Sequence, residues 1–173
     1  FNGGIIMAIY YGDGSNSDSG NGRCIQRQIA STNTHTARSN NAGWSSLGGL
    51  SINITPKQNN HKILIEAQVP VSTYHNSGGA GAEMYINRSV GGSNTSVWEG
   101  MVKGRSDSND HVMASCSIIH LDNPQTTSTI TYTLYGRECH GNTQADFNGT
   151  PSGSNFGSNQ TYTATLLVTE VAT

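Results

Sequence analysis

Between His111 and Arg137 apolar and polar positions alternate with a period of two, the spacing that sends successive side chains to opposite faces of a β-strand. Val112, Ala114, Cys116 and Ile118 share one face, and Met113, Ser115, Ser117 and Ile119 the other. Downstream, Ile130, Tyr132 and Leu134 alternate with Thr131, Thr133 and Tyr135, a β-branched and aromatic mixture suited to a half-buried sheet. Leu121-Asp122-Asn123-Pro124-Gln125 lies between, with Pro124 biasing Asn123 toward extended geometry and Asp122 able to bond amides further on. The pattern predicts a β-hairpin, with Ile118, Ile130 and Leu134 facing inward.

The same alternation predicts strands over 4–11, 23–30, 50–54, 82–86, 97–102 and 161–171, and the strongest over 62–71. In that last strand Ile63, Ile65, Ala67, Val69 and Val71 point inward and Leu64, Glu66 and Gln68 outward. Arg27 shares a face with Ile25 and Ile29, which marks an edge strand or a subunit contact. Stretches 12–22, 31–46, 103–111 and 141–160 carry no period and read as loops, the second pinned to the core by Trp44 and Leu47. With no helical period in any window, the chain is expected to be all-β, an antiparallel β-sandwich of jelly-roll type. Residues 1–22 are expected to form an N-terminal strand and a Gly/Ser/Asn-rich loop, and 23–173 the sandwich domain. Trp98 and Met101, or Leu166 and Leu167, put apolar groups on both faces of a strand, so either the sheets are covered twice or another subunit covers them, as in a cyclic oligomer.

Composition narrows the chemistry. Only 12% of the 173 residues are charged and the net charge is -2, which leaves no basic field for nucleic acid. No apolar stretch is long enough to span a membrane, and FNGGIIMAIYYG lacks the basic leading segment of a secretory signal. Cys24, Cys116 and Cys139 are too few and too scattered for a zinc ribbon, and free thiols are expected. Asp13, Ser15, Asn16 and Asp18 resemble the start of a calcium loop, but Cys24 stands where the bidentate glutamate belongs, so the stretch reads as a plain loop. The six histidines show no metal-ligand spacing, the eleven acids no linear pairing, and no nucleophile elbow occurs. The chain is expected to be no enzyme and to need no cofactor or metal. Five Asn-x-Ser/Thr sequons, at Asn53, Asn87, Asn94, Asn148 and Asn159, are what chance gives in so Asn-, Ser- and Thr-rich a chain.

Four stretches carry a family resemblance: Ile119-His120-Leu121-Asp122-Asn123-Pro124-Gln125-Thr126-Thr127 with Thr131-Tyr132-Thr133-Leu134; Ser51-Ile52-Asn53-Ile54-Thr55-Pro56-Lys57 with Lys62-Ile63-Leu64-Ile65; the opening from Met7 to Asn16; and the closing from Ala164 to Val171. Together they resemble small β-rich structural proteins of tailed-phage virions, marine phages especially, of tail-fibre-like or capsid-surface kind. The resemblance implies a homotrimer, other virion proteins as partners, no active site, and a place on the virion after assembly in the host cytoplasm. Met7 is then a candidate natural start. Two roles fit: a tail or head fibre whose loops touch a host-surface glycan, and a capsid decoration protein that binds only other virion subunits. For the first, Tyr74, Trp98, Tyr135 and Phe147 are candidate sugar-stacking or partner-contact residues; core packing is the other use of such rings.

Overall fold

A computed structural model describes residues 22–39, 42–75, 78–106, 110–139, 143–150 and 160–173. The strand expected over 4–11, the calcium-like loop and the Met7 start lie outside them. Ten strands follow in order: β1 Cys24–Thr32, β2 Thr36–Ser39, β3 Ser45–Ile54, β4 Lys62–His75, β5 Gly78–Val90, β6 Ser93–Ser106, β7 Asp110–Asp122, β8 Ile130–Glu138, β9 Thr143–Phe147 and β10 Ala164–Val171.

Eight of these strands pair like nested brackets. β5 pairs antiparallel with β6, β4 with β7, β3 with β8 and β1 with β10. The nested pairs then fall alternately into two sheets, one running β1-β10-β4 with β7 on the far edge of β4, the other β3-β8-β5-β6. That winding is the jelly roll. β2 and β9 are additions, pairing with each other and continuing the first sheet beside the C-terminal half of β4. A single core fills the space between the sheets, from Leu47, Leu50, Ile52 and Ile54 through the inward residues of β4 to Ile118, Ile130, Leu134, Leu166 and Val168.

The inward faces expected for β4, β8 and the second half of β7 are those observed: Ile63, Ile65, Val69, Ile130 and Leu134 are buried, while Gln68, Ser117 and Ile119 are exposed. Among the described residues β1 lies at the edge of its sheet, one of the two places expected for it. The expected hairpin does not form. β7 pairs with β4 and β8 with β3 and β5, so residues 123–129 carry the chain from one sheet to the other. Alternation is identical in a hairpin and in such an arch, and only the partner distinguishes them. Asp122 does not cap the turn either. Its carboxylate accepts from Arg88 Nη1 at 2.8 and 3.0 Å and from the Tyr132 hydroxyl at 2.6 Å, joining β7 to β5 and β8 across the sandwich.

Three stretches expected as loops contain strands. β6 runs on to Ser106 and β7 begins at Asp110, so most of 103–111 is strand, its polar and charged residues hiding the continued ladder. β2 interrupts the 31–46 connection and β9 the 141–160 connection, each too short for a visible period. β9 also brings Phe147, fully buried, against Gly136 of the opposite sheet, where a Cβ would lie 2.5 Å from the ring. The β5–β6 connection is a two-residue turn with Gly91 at φ 56° and Gly92 at φ 86°, the left-handed pair a type I′ hairpin needs. All three cysteines are free.

Three outcomes check this packing. Ile118→Ala, Ile130→Ala or Leu134→Ala should each cost about 2–5 kcal/mol in denaturant unfolding, and Ser117→Ala or Thr131→Ala well under about 1 kcal/mol. Gly136→Ala should destabilise far more than a surface Gly→Ala, and Phe147→Leu made with it should recover part of the loss. Burial, with the Asp122 bond second, pushes the Tyr132 phenol far above its ordinary 10.0. The unfolded chain releases that proton near pH 10.0 and the folded one does not, so the stabilisation is full below that pH and lost progressively above it. Unfolding free energies measured on either side of pH 10 should show the fall, and Tyr132→Phe should flatten it.

Candidate functional site

The outer face of the second sheet carries the residues of β5, β6 and β8 that alternate away from the core. Register sets Glu83 beside Arg137, Tyr85 beside Tyr135 and Asn87 beside Thr133 on one side of β5. On the other side it sets Glu83 beside Met101, Tyr85 beside Glu99 and Asn87 beside Ser96. Tyr85 and Tyr135 stack across the strands with centroids 4.9 Å apart and planes 9° from parallel. Trp44, entering β3, meets Tyr85 edge-on at 4.7 Å, and the Arg137 guanidinium lies 4.4 Å from the centre of its ring. Arg137 is held by Glu83, which accepts from Nε at 2.6 Å and from Nη2 at 2.5 Å. Trp44 is thus fixed on the sheet surface, 37% exposed, rather than pinned to the core as expected; Leu47 alone fills that role. The core was the simplest home for a tryptophan, but this one has a cation and a tyrosine edge to cover it outside.

Two open clefts flank Trp44 and share Glu99. One, of about 320 Å³, is walled by Glu83, Met101 and Arg137, and the other, of about 300 Å³, by Tyr85, Asn87, Asn94 and Ser96. In the second, Asn87 Nδ2 donates to Asn94 Oδ1 at 3.0 Å and Ser96 Oγ to Glu99 Oε1 at 3.0 Å. Those bonds orient one end of each amide and carboxylate and leave the other end for a ligand. The Tyr85 phenol is raised above its ordinary value by burial first, then by Tyr135 and Glu99, so it stays a neutral donor. An aromatic wall opposite amide, hydroxyl and carboxylate groups suits a ring with apolar faces and a polar rim. Glu83 and Glu99 do meet at one cleft, a pairing invisible along the chain. Glu83 is engaged by Arg137 and Glu99 by Ser96.

Of the expected stacking residues only Tyr135 belongs here. Trp98 turns to the inner side of β6, folded over Gly100 and against the core. Tyr74 lies half-buried on β4 in the other sheet, and Phe147 is sealed in the core. Trp44, Tyr85 and Arg137 were missed. Tyr85 could have been found, since it alternates against Met84 and Ile86, whereas Trp44 and Arg137 gain meaning only once β8 is known to lie beside β5.

Two of the histidines serve as internal partners. His61 Nδ1 and the Lys57 amide each bond Glu170 Oε1 at 2.6 Å, and His35 Nε2 bonds Asp146 Oδ1 at 2.7 Å; both carboxylates are fully buried. Among the described residues no three His, Cys, Asp or Glu side chains converge as a metal site would need, and no helix is long and apolar enough to cross a membrane.

No family model and no curated protein matches the sequence. Among solved structures the chain is similar to the infectious bursal disease virus VP2 subviral particle, at 14% identity and a TM-score of 0.36 over 87% of this chain and 39% of that one. A structure of the infectious bursal disease virus Gx strain gives 14% identity and a TM-score of 0.34 over the same shares. The chain therefore spans about two fifths of the length of those proteins.

Proposed function

We propose that this chain is a non-enzymatic structural module of a virion, of the tail- or head-fibre kind, that holds a neutral host-surface glycan in the clefts beside Trp44. The observation that carries the reading is the cleft itself: the tyrosine stack and Trp44 on one side, Asn87, Asn94 and Glu99 on the other. Two further points support it. The jelly roll serves both viral capsid and lectin domains, and the four stretches quoted above resemble phage virion proteins. A second reading, a decoration protein that touches only other virion subunits, draws its support from the exposed Ile29, Ile119 and Leu121 on the opposite sheet. Self-association belongs to both, and the resemblance favours three copies.

Tryptophan emission should report the ligand, because Trp44 lines both clefts. Titration with a panel of neutral and N-acetylated oligosaccharides should quench it saturably for at least one member. Tyr85→Ala should weaken that binding by roughly tenfold, the loss of about one stacking contact, with an unchanged far-ultraviolet spectrum. No shortened sugar should appear on prolonged incubation. Quenching by none of the panel, or equal affinity in Tyr85→Ala, sinks the glycan reading and leaves the decoration reading; product formation would make the Glu83 and Glu99 cleft an active site.

A further inference from the structure

The outer face of the first sheet carries an apolar band broken by one acid and one base. Register places Ile29 beside Leu167, Leu167 beside Glu66 and Glu66 beside Ile119, one row across β1, β10, β4 and β7. The adjoining row runs Arg27, Thr169, Leu64, Leu121. Ile29 is 69% exposed, Ile119 75% and Leu121 51%, with Leu64 and Leu167 half-buried between them. Such exposure amounts to on the order of 400 Å² of apolar surface, comparable to the largest patch on a typical soluble monomer, a patch that is often functional. It is about half of the 800 Å² each partner buries in a stable complex, and the polar rim of Gln68, Ser115 and Ser117 extends it toward that figure.

We infer that this band packs against a second copy of the same chain, the Ile119 and Leu121 end of one copy meeting the Ile29 end of another. The charges select the occupant. Glu66 interrupts the band next to Ile119, and Arg27 stands in the row beside Ile29. No ion pair within the chain engages either among the described residues, and Arg27 Nε makes only a 3.2 Å bond to Thr169 Oγ1. An apolar partner would bury Glu66 uncompensated, whereas another copy brings Arg27 to it along with matching isoleucine surface. End-to-end contact of this sort closes either as a two-fold pair or as a ring. The inference deepens the self-association in the proposed function and is independent of the glycan cleft, which lies on the other sheet.

Light scattering of the full chain at high micromolar concentration should give a multiple of the 18.3 kDa chain mass. Ile119→Lys combined with Leu121→Lys, both at exposed positions, should give 18.3 kDa with an unchanged far-ultraviolet spectrum. Arg27→Glu and Glu66→Arg should each weaken association about tenfold, and the two together should restore most of it. A wild-type mass of 18.3 kDa at every concentration, an oligomer that survives the two lysines, or no recovery in the double swap overturns the inference. So does association that appears only when residues 1–21 are removed, because the band would then be covered by the chain's own N-terminal segment. Association intact in a protein that binds no sugar upholds the interface and overturns the cleft reading alone.

Discussion

β4 is hydrogen-bonded along both edges, and the rest of the sandwich is arranged to allow it. β7 runs the length of one edge from Ile63 to His75, while the other is shared by β10, which stops at Gln68, and β9, which begins at Val71. Pro70 explains the division. Proline has no N–H to give a ladder, so a central strand tolerates it only where that position faces a gap. The Pro70 carbonyl accepts from the Asn148 amide at 2.9 Å, on the β9 side, and in an extended strand a residue's N and O point the same way. The missing donor therefore falls in the interval between β10 and β9, where no partner waits for it.

A chain with so few charges uses several of its acids inside. Glu170 takes bonds from the Lys57 amide, His61 and Gln26 Nε2 and so ties the 55–61 loop and β1 to β10; Asp146 takes His35. Their β4 neighbours, Ile63 and Ser72, are about 30 Å apart at 3.3 Å per residue, so the two clasps hold opposite ends of the sheet. Asp122 spans between the sheets through Arg88 and Tyr132. Each carboxylate is buried with its partners in place, the condition under which burial of charge is tolerated. Removing one partner would leave an uncompensated anion in the core.

Side-chain direction was legible in the sequence because a two-residue period needs no knowledge of the partner strand. Hence the inward faces of β4 and β8, and the edge position of β1 from Arg27 beside its isoleucines, were readable. What depends on the partner was not. Residues 111–137 alternate as a hairpin would, yet their arms bond different strands, and β2 and β9, at four and five residues, are too short to show a period. The cleft was illegible for the same reason: Tyr135 looked like a lone exposed ring until β5 came to lie beside β8. Phe147, as isolated in sequence as Tyr135, is core, and Trp98 packs half-buried against it.

One irregularity connects the core to the cleft. Leu47 and Leu50 are both fully buried although they lie three apart, a spacing that puts them on opposite faces of a regular strand. Gly48 at φ 52° and Gly49 at φ 87° resolve this by a bulge, seen as a break in the β3–β8 register between Ser46 and Ser51. A Cβ on Gly48 would also meet that of Thr34 at 2.9 Å, so the site is closed to larger residues on two grounds. Upstream of the bulge, Trp44 is three residues from Leu47 in chain still extended, and so it points outward when Leu47 points in. The bulge lets both leucines reach the core while Trp44 stands over Tyr85 on the outer face. A chain without it would have to give up a core leucine or turn the tryptophan off the cleft.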